Sequence, residues 1–338
     1  MSFSSSILTV FLLKWCEMTA MNNYSYQADI LGEGYQQLSL NLPDDYDGKV
    51  IATLIRKKAA IATQKAVLYI HGFADYYFQK EMAEQFNQQG YNFYALDLRK
   101  YGRSKLPHQK LFYVRDLLEY EEEIHKALEI IQQENHNQLL LAGHSTGGLI
   151  ATLYAAHNPK HPLIKALWAN SPFYDFYKNK IEKTIGIPLL SKVGKYLPSV
   201  KIPGGLNQWY TPSLHQNFYG EWDFDLEWKP EDLPVVQLGF IRAIHKAQKE
   251  IHKGVRLNVP TLIMHSQQSA QPRKWGIEAQ QSDIILNVND MVRNAKKMKG
   301  DVKTLAIKNG LHDLVLSKPP VREEVYKNLF LWLHHKIS

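Results

Sequence analysis

Hydrophobic and polar positions alternate along this chain in two distinct ways. Gln37 to Leu42 and Lys49 to Arg56 switch between apolar and polar residues as strands do. The turn-rich run Pro43-Asp44-Asp45-Tyr46-Asp47-Gly48 joins them, which predicts an antiparallel pair. Beyond it, short continuous apolar runs take over. Ala66 to Ile70, Tyr91 to Leu96, Leu139 to Ala142 and Ile164 to Trp168 read as strands buried on both faces. Helical segments lie between them. Gln79 to Gln89 is one, and Asp116 to Gln133 is another, with Leu117, Tyr120, Ile124, Leu128 and Ile131 at helical spacing. A third runs through about Ala156. The alternation resumes at Pro260 to His265 and Val302 to Ile307, and Val321 to Lys336 closes the chain as a helix. Such a pattern predicts an α/β fold, a mainly parallel twisted sheet with helices on both faces.

Between Ser171 and about Val255 this grammar breaks. The stretch is rich in aromatics, among them Phe173, Tyr174, Trp209, Tyr210, Trp222, Phe224 and Trp228, and Val235 to Ile251 looks helical. An insertion of this size between two sheet strands predicts a largely helical cap above the sheet edge. We therefore divide the chain into an N-terminal segment (1–34, disordered or an over-extended start), a core (35–170 and 256–338) and a cap (171–255).

Composition narrows the picture further. With 338 residues and 45% hydrophobic content, the chain can bury a substantial core. Its single cysteine, Cys16, excludes an internal disulfide framework and a thiolate metal site, which suits a cytoplasmic location. The net charge of +7 is dispersed, and clusters such as Lys57-Lys58 carry no interleaved aromatics. No nucleic-acid partner is expected, whereas peripheral contact with an anionic membrane surface is left open. The apolar run Ile7 to Leu13 leaves export open too, but is far below the ~20 residues that span a bilayer. Oligomeric state is not specified by any of these patterns.

The chemistry centres on Gly143-His144-Ser145-Thr146-Gly147. A G-x-S-x-G match is weak alone, but here an apolar strand precedes it and an amphipathic helix follows. Small residues at both ends let the chain turn sharply, so the Ser145 hydroxyl can stand clear as a nucleophile. Such a hydroxyl needs a base, and His312 follows the strand ending at Ile307, at the carboxyl end where open α/β sheets place chemistry. An acid should orient the imidazole. Asp283 is the first choice, just before the apolar run Ile284-Ile285-Leu286, with Asp290, Glu278 and Asp175 as alternatives. Oxyanion donors are expected from the backbone N–H groups of Thr146 and Phe73, the latter in the loop His71-Gly72-Phe73. Gly72, His144 and Phe173 are candidate substrate-pocket residues, and His71 is expected to order its loop. No cofactor and no metal are expected.

At these residues the chain resembles the α/β-hydrolase superfamily, and more closely its monoacylglycerol lipase, lysophospholipase and serine-aminopeptidase-like branch. The family's His-Gly oxyanion loop is similar to His71-Gly72-Phe73, and its Asp-x-Arg-x-x-Gly-x-Ser segment to Asp97 through Ser104. Its elbow matches Gly143 to Gly147, and its histidine loop Leu311-His312-Asp313. The resemblance covers roughly residues 35 to 338. It implies a Ser-His-Asp triad acting on a small or lipid carboxylic ester, with Asp97 and Arg99 structural. One departure stands out: the family's acid lies within a few residues of its strand, whereas here Gln267 to Gln281 intervene before Asp283. An aminopeptidase or amidase is the alternative, with Glu221, Asp223, Asp225 and Glu227 available to hold a substrate ammonium. Dehalogenase and epoxide-hydrolase readings are disfavoured, because those relatives carry Asp at the elbow.

Overall fold

Strands with no polar face need cover on both sides, and that requirement organises this protein. The computed structural model describes residues 24–232 and 235–337. Its strands and helices, in chain order, are β1 (Gln27–Ala28), β2 (Tyr35–Asp45), β3 (Gly48–Lys57), β4 (Lys65–Ile70), α1 (Lys80–Gln88), β5 (Asn92–Asp97), α2 (Glu121–Gln133), β6 (Gln138–His144), α3 (Thr146–His157) and β7 (Ile164–Asn170). Then come α4 (Ile187–Tyr196), β8 (Lys201–Pro203), α5 (Tyr210–Leu214), β9 (Val235–Gln237), α6 (Leu238–Lys253), β10 (Thr261–Ser266), α7 (Val288–Ala295), β11 (Val302–Ile307) and α8 (Pro319–Lys336).

Nine strands form one sheet in the order β1-β2-β3-β5-β4-β6-β7-β10-β11. The β2–β3 pair is antiparallel, as its tight turn predicts, and β4, β5, β6, β7, β10 and β11 run parallel to one another. Along β4, Ala66, Leu68 and Ile70 face one side with α2, α3 and α6, while Val67 and Tyr69 face the other with α1 and α8. This is the α/β-hydrolase fold expected from the sequence. The parallel strands β4, β6, β7, β10 and β11 all end on one edge, which collects the loops after Ile70, His144, Asn170, Ser266 and Ile307.

Three local differences from the sequence reading have physical causes. Residues 24–34 were set apart from the core, yet Gln27 and Ala28 pair with Gln37 and Gln36 at the sheet edge. Asp29 is anchored by a buried ion pair to Arg103 at 2.7 Å. The remainder of that N-terminal segment, residues 1–23 with the run 7–13, lies outside the described residues. The helix expected from Val235 begins instead at Leu238, because Val235–Gln237 pair antiparallel with Lys201–Pro203. Around Asp290, where the sequence reading places no element, the chain forms helix α7, whose Asn287 side chain caps the Asn289 N–H.

Between β7 and β10, the described residues of 171–260 add no strand to the main sheet. This inserted segment is bound to the core through α6, whose Phe240, Ala243, Ile244 and Ile251 join the same apolar cluster as α3.

Candidate active site

The turn from β6 into α3 is tight enough to require its glycines. A Cβ on Gly143 would lie 2.3 Å from the Gly147 carbonyl oxygen, and one on Gly147 only 2.2 Å from that of Ile70. Ser145 itself adopts φ +52° and ψ −115°, a conformation that costs a non-glycine residue. Its backbone is fixed from three directions: Ser145 N–H donates to Asn170 O at 2.9 Å, and Ser145 O accepts from Leu149 and Phe173 N–H. The strain thus persists because the surroundings over-determine it, and it leaves the hydroxyl projecting from the elbow.

His312 meets that hydroxyl. Its Nε2 is 3.0 Å from Ser145 Oγ, and its Nδ1 is 2.9 Å from Asp283 Oδ2. Burial pushes the imidazole below its ordinary pKa, Asp283 pulls it back up, and the neighbouring His144 ring opposes that pull. His312 therefore rests neutral, the state in which a base can accept a proton. Asp283 is fully buried; its Oδ1 accepts the N–H groups of Ile285 and Leu286 at 2.9 and 2.7 Å, leaving Oδ2 for the imidazole.

The long segment before Asp283 has a simple geometry. Ser269 and Asp283 form an isolated parallel bridge, with Ala270 N–H donating to Asp283 O and Asp283 N–H to Gln268 O. Most of the extra residues loop out and return, so Asp283 stands near the end of β10 despite its distance in sequence. The alternatives go elsewhere. Asp290 and Asp175 both pair with Lys183 and Arg293, and Glu278 lies exposed on the 3-10 turn Ile277–Gln280.

Thr146 occupies the first position of α3, where a backbone N–H has no intrahelical acceptor. The Phe73 N–H has no protein acceptor among the described residues. Gly72 brings the loop close: a Cβ there would sit 3.3 Å from Ser145 Cβ and 3.0 Å from His144 Nδ1. The Phe73 ring stacks on Phe240 of α6 with centroids 4.6 Å apart. Phe173 is half-buried, edge-on to Phe176, and its carbonyl accepts from Gln248 Nε2. His71 orders its loop: Nε2 accepts the Leu98 N–H, and the ring packs on Tyr101. Asp97 and Arg99 are structural. Asp97 accepts from Tyr77 N–H and Arg103, and Arg99 grips buried Glu123.

His144 does not face an open pocket. It is 2% exposed and turned into a buried group with Asp75 and Asp313, each placing Oδ2 3.8 Å from His144 Nδ1. These three residues are the set in the site that could ligate a metal. Lys229, however, already donates to Asp75 Oδ1 at 2.9 Å, and its ammonium supplies the cation. Burial pushes the Asp75 carboxyl up, and Lys229, His144 and His71 together more than offset it, holding the group below the usual carboxylate range. Asp75, Lys229 and Asn170, which donates to Asp313 at 2.7 Å, carry no sequence signal beyond their residue types.

With this geometry in place, comparison with known proteins identifies the family. Residues 61–270 match the Hydrolase_4 model, described as serine aminopeptidase, S33. The chain belongs to this family. Its fold is shared with a soluble variant of monoglyceride lipase from Saccharomyces cerevisiae bound to a substrate analogue (18% identity, 88% of this chain and 95% of that one, TM-score 0.65). Paleococcus ferrophilus monoacylglycerol lipase is similar as well (19% identity, 83% and 98%, TM-score 0.63). So is a thermostable carboxyl esterase from Bacillus coagulans in complex with glycerol (14% identity, 89% and 99%, TM-score 0.61). Among curated proteins, Epoxide hydrolase 4 of Mus musculus is 31% identical over 107 residues, and the matched stretch spans 28% of that relative.

Proposed function

We propose that this protein is a serine carboxylester hydrolase acting on monoacyl lipids or small apolar esters. The observation that carries the proposal is the run of contacts from Ser145 Oγ through His312 to Asp283, at 3.0 and 2.9 Å. Ser145 Oγ attacks the ester carbonyl as His312 Nε2 takes its proton. Asp283 keeps the other proton on Nδ1 and stabilises the imidazolium. The N–H groups of Thr146 and Phe73 receive the developing oxyanion. His312 then gives its proton to the departing alcohol, and water, activated by the same base, releases the acid from Ser145.

The residues nearest this machinery favour an apolar acyl group. Phe73 stacks on Phe240 of the inserted segment, which we regard as a cap, and Phe173 stands edge-on to Phe176. Monoglyceride lipases and a carboxyl esterase among the structures of like fold are consistent with this choice. The family's aminopeptidase description favours a second reading, an amide substrate with a free ammonium. All four acids considered for that role are exposed, however. Glu221 pairs with Lys318 and Arg322, and Asp225 Oδ1 accepts the Glu227 and Trp228 N–H groups. A p-nitrophenyl ester series run against aminoacyl-naphthylamides separates the two. Hydrolysis of amides in preference to every ester chain length overturns the ester reading.

The same proposal includes a lipid surface. None of the described helices is long and apolar enough to cross a membrane. Ile181, Ile185 and Leu189, four residues apart on the turn leading into α4 and on that helix, are nevertheless 71%, 64% and 58% exposed. Lys178, Lys180, Lys192, Lys195 and Lys201, in the same part of the insertion, are exposed as well. An apolar stripe on a lysine-rich segment is complementary to an anionic bilayer interface, where it would bring the cap to its substrate.

A further inference from the structure

The sequence neighbours of the proposed machinery form a second buried unit. Asp75 lies two positions after Phe73, His144 one before Ser145, and Asp313 one after His312. Their polar atoms lie within 4.8 Å of one another, and the His144 and His312 rings lie 4.8 Å apart at an angle of 57°. The Tyr69 and Tyr210 hydroxyls are fully buried beside the two carboxylates, which push both phenols further above their ordinary pKa after burial has raised them. Two buried carboxylates demand a cation. It comes from the inserted segment, 154 residues away in sequence: Lys229, whose side chain is 3% exposed against 1% for Asp75.

Lys229 is the end of a wider grip on the loop after β4. The Asp225 N–H donates to Tyr76 Oη at 2.7 Å, Trp228 stands edge-on to Tyr76, and Phe224 packs on Phe78. Phe73 is held separately by Phe240. Between these anchors Ala74 adopts φ +50°, a left-handed conformation that a residue with a Cβ keeps only under constraint.

We propose that Lys229 is a positioning residue for the reaction. Through Asp75 it holds the 72–75 backbone so that the Phe73 N–H faces the oxyanion while the inserted segment is seated. The seating of that segment and the alignment of the oxyanion donor are then one event. This rests on the Ser145 and Phe73 assignments above.

The test uses Lys229→Met and the double variant Asp75→Asn/Lys229→Met in the full chain. Lys229→Met is expected to lower kcat about 10²-fold, the cost of misplacing a catalytic donor by about 1 Å. KM should stay within threefold. Affinity for a trifluoromethyl ketone, whose hemiketal oxygen occupies the oxyanion position, should fall in parallel with kcat/KM. The double variant removes both charges of the Asp75–Lys229 pair, so its unfolding midpoint is expected to recover toward wild type while kcat stays low. A folded double variant with wild-type kcat overturns the inference and leaves the ion pair a stabilising contact. A divalent metal held by Asp75, His144 and Asp313 in the wild-type protein also overturns it. The underlying reading fails separately, if Ser145→Ala keeps its activity and its fluorophosphonate labelling.

Discussion

Replacing Asp283 by Asn tests the candidate site most directly, because the change turns one carboxylate oxygen into an amide NH2 with almost no change in volume. Asp283 makes three contacts: Oδ1 takes two backbone N–H groups at 2.9 and 2.7 Å, and Oδ2 takes His312 Nδ1 at 2.9 Å. An asparagine satisfies the backbone donors by keeping its carbonyl oxygen at the Oδ1 position. Its amide NH2 must then face His312 Nδ1 and donate to it. The imidazole proton is forced onto Nε2, which can no longer accept from Ser145 Oγ 3.0 Å away. The expected loss is about 10⁴-fold in kcat, the effect of holding this base in the wrong tautomer. That corresponds to roughly 5 kcal/mol of transition-state stabilisation. Steady-state hydrolysis of p-nitrophenyl butyrate reads the loss, and the unfolding midpoint, expected to change little, shows that the variant is folded. Asp290→Asn is the companion, since Asp290 faces Lys183 and Arg293 rather than His312. It should retain kcat within a few-fold. A folded Asp283→Asn enzyme within tenfold of wild type, or equal losses in the two variants, refutes the argument.

Four further outcomes follow from the same structure. Burial lowers the His312 pKa, so the acid limb of kcat/KM is expected to have its midpoint below the ordinary imidazole value of about 6.5. An inflection above pH 7 contradicts this. Buried His71 and His312 are both lowered, so below about pH 6.5 the unfolded chain binds protons that the native state refuses. Stability from these groups is complete above that pH and is lost as pH falls through it, which urea midpoints across pH 5 to 8 will register. Gly147→Ala places a methyl group 2.2 Å from the Ile70 carbonyl oxygen and 2.3 Å from that of His71. It is expected to cost about 1–3 kcal/mol of stability and to slow fluorophosphonate labelling by more than tenfold; unchanged labelling shows that the elbow tolerates the shift. Finally, Ile181→Asp/Ile185→Asp/Leu189→Asp should abolish co-sedimentation with phosphatidylcholine vesicles containing 30% phosphatidylglycerol, and binding retained by the triple variant rejects the lipid face.

What could be read from the sequence, and what could not, divides along a physical line. β4, β6 and β7 are legible because burial on both faces leaves a continuous apolar run, which needs no knowledge of the partners. The elbow is legible because its sharp turn demands small residues locally, with Gly143 facing the Gly147 carbonyl at 2.3 Å, although Gly147 itself meets the carbonyl of Ile70 on the neighbouring strand at 2.2 Å. Asp283 is an intermediate case. Its apolar neighbours mark it as an anchored residue, but the bridge between Ser269 and Asp283 that brings it back to β10 is a tertiary contact. Lys229 lies beyond reach, one lysine among many on the insertion, distinguished only by an aspartate 154 residues earlier. The exposed stripe at Ile181, Ile185 and Leu189 escapes for the opposite reason, since its helical spacing looks like that of a buried face. Periodicity reports which residues leave water, and local sterics report where the backbone bends. Single polar contacts across the fold follow neither rule. The coupling of the inserted segment to the oxyanion loop is built from contacts of that kind, so it becomes visible only when the chain is folded.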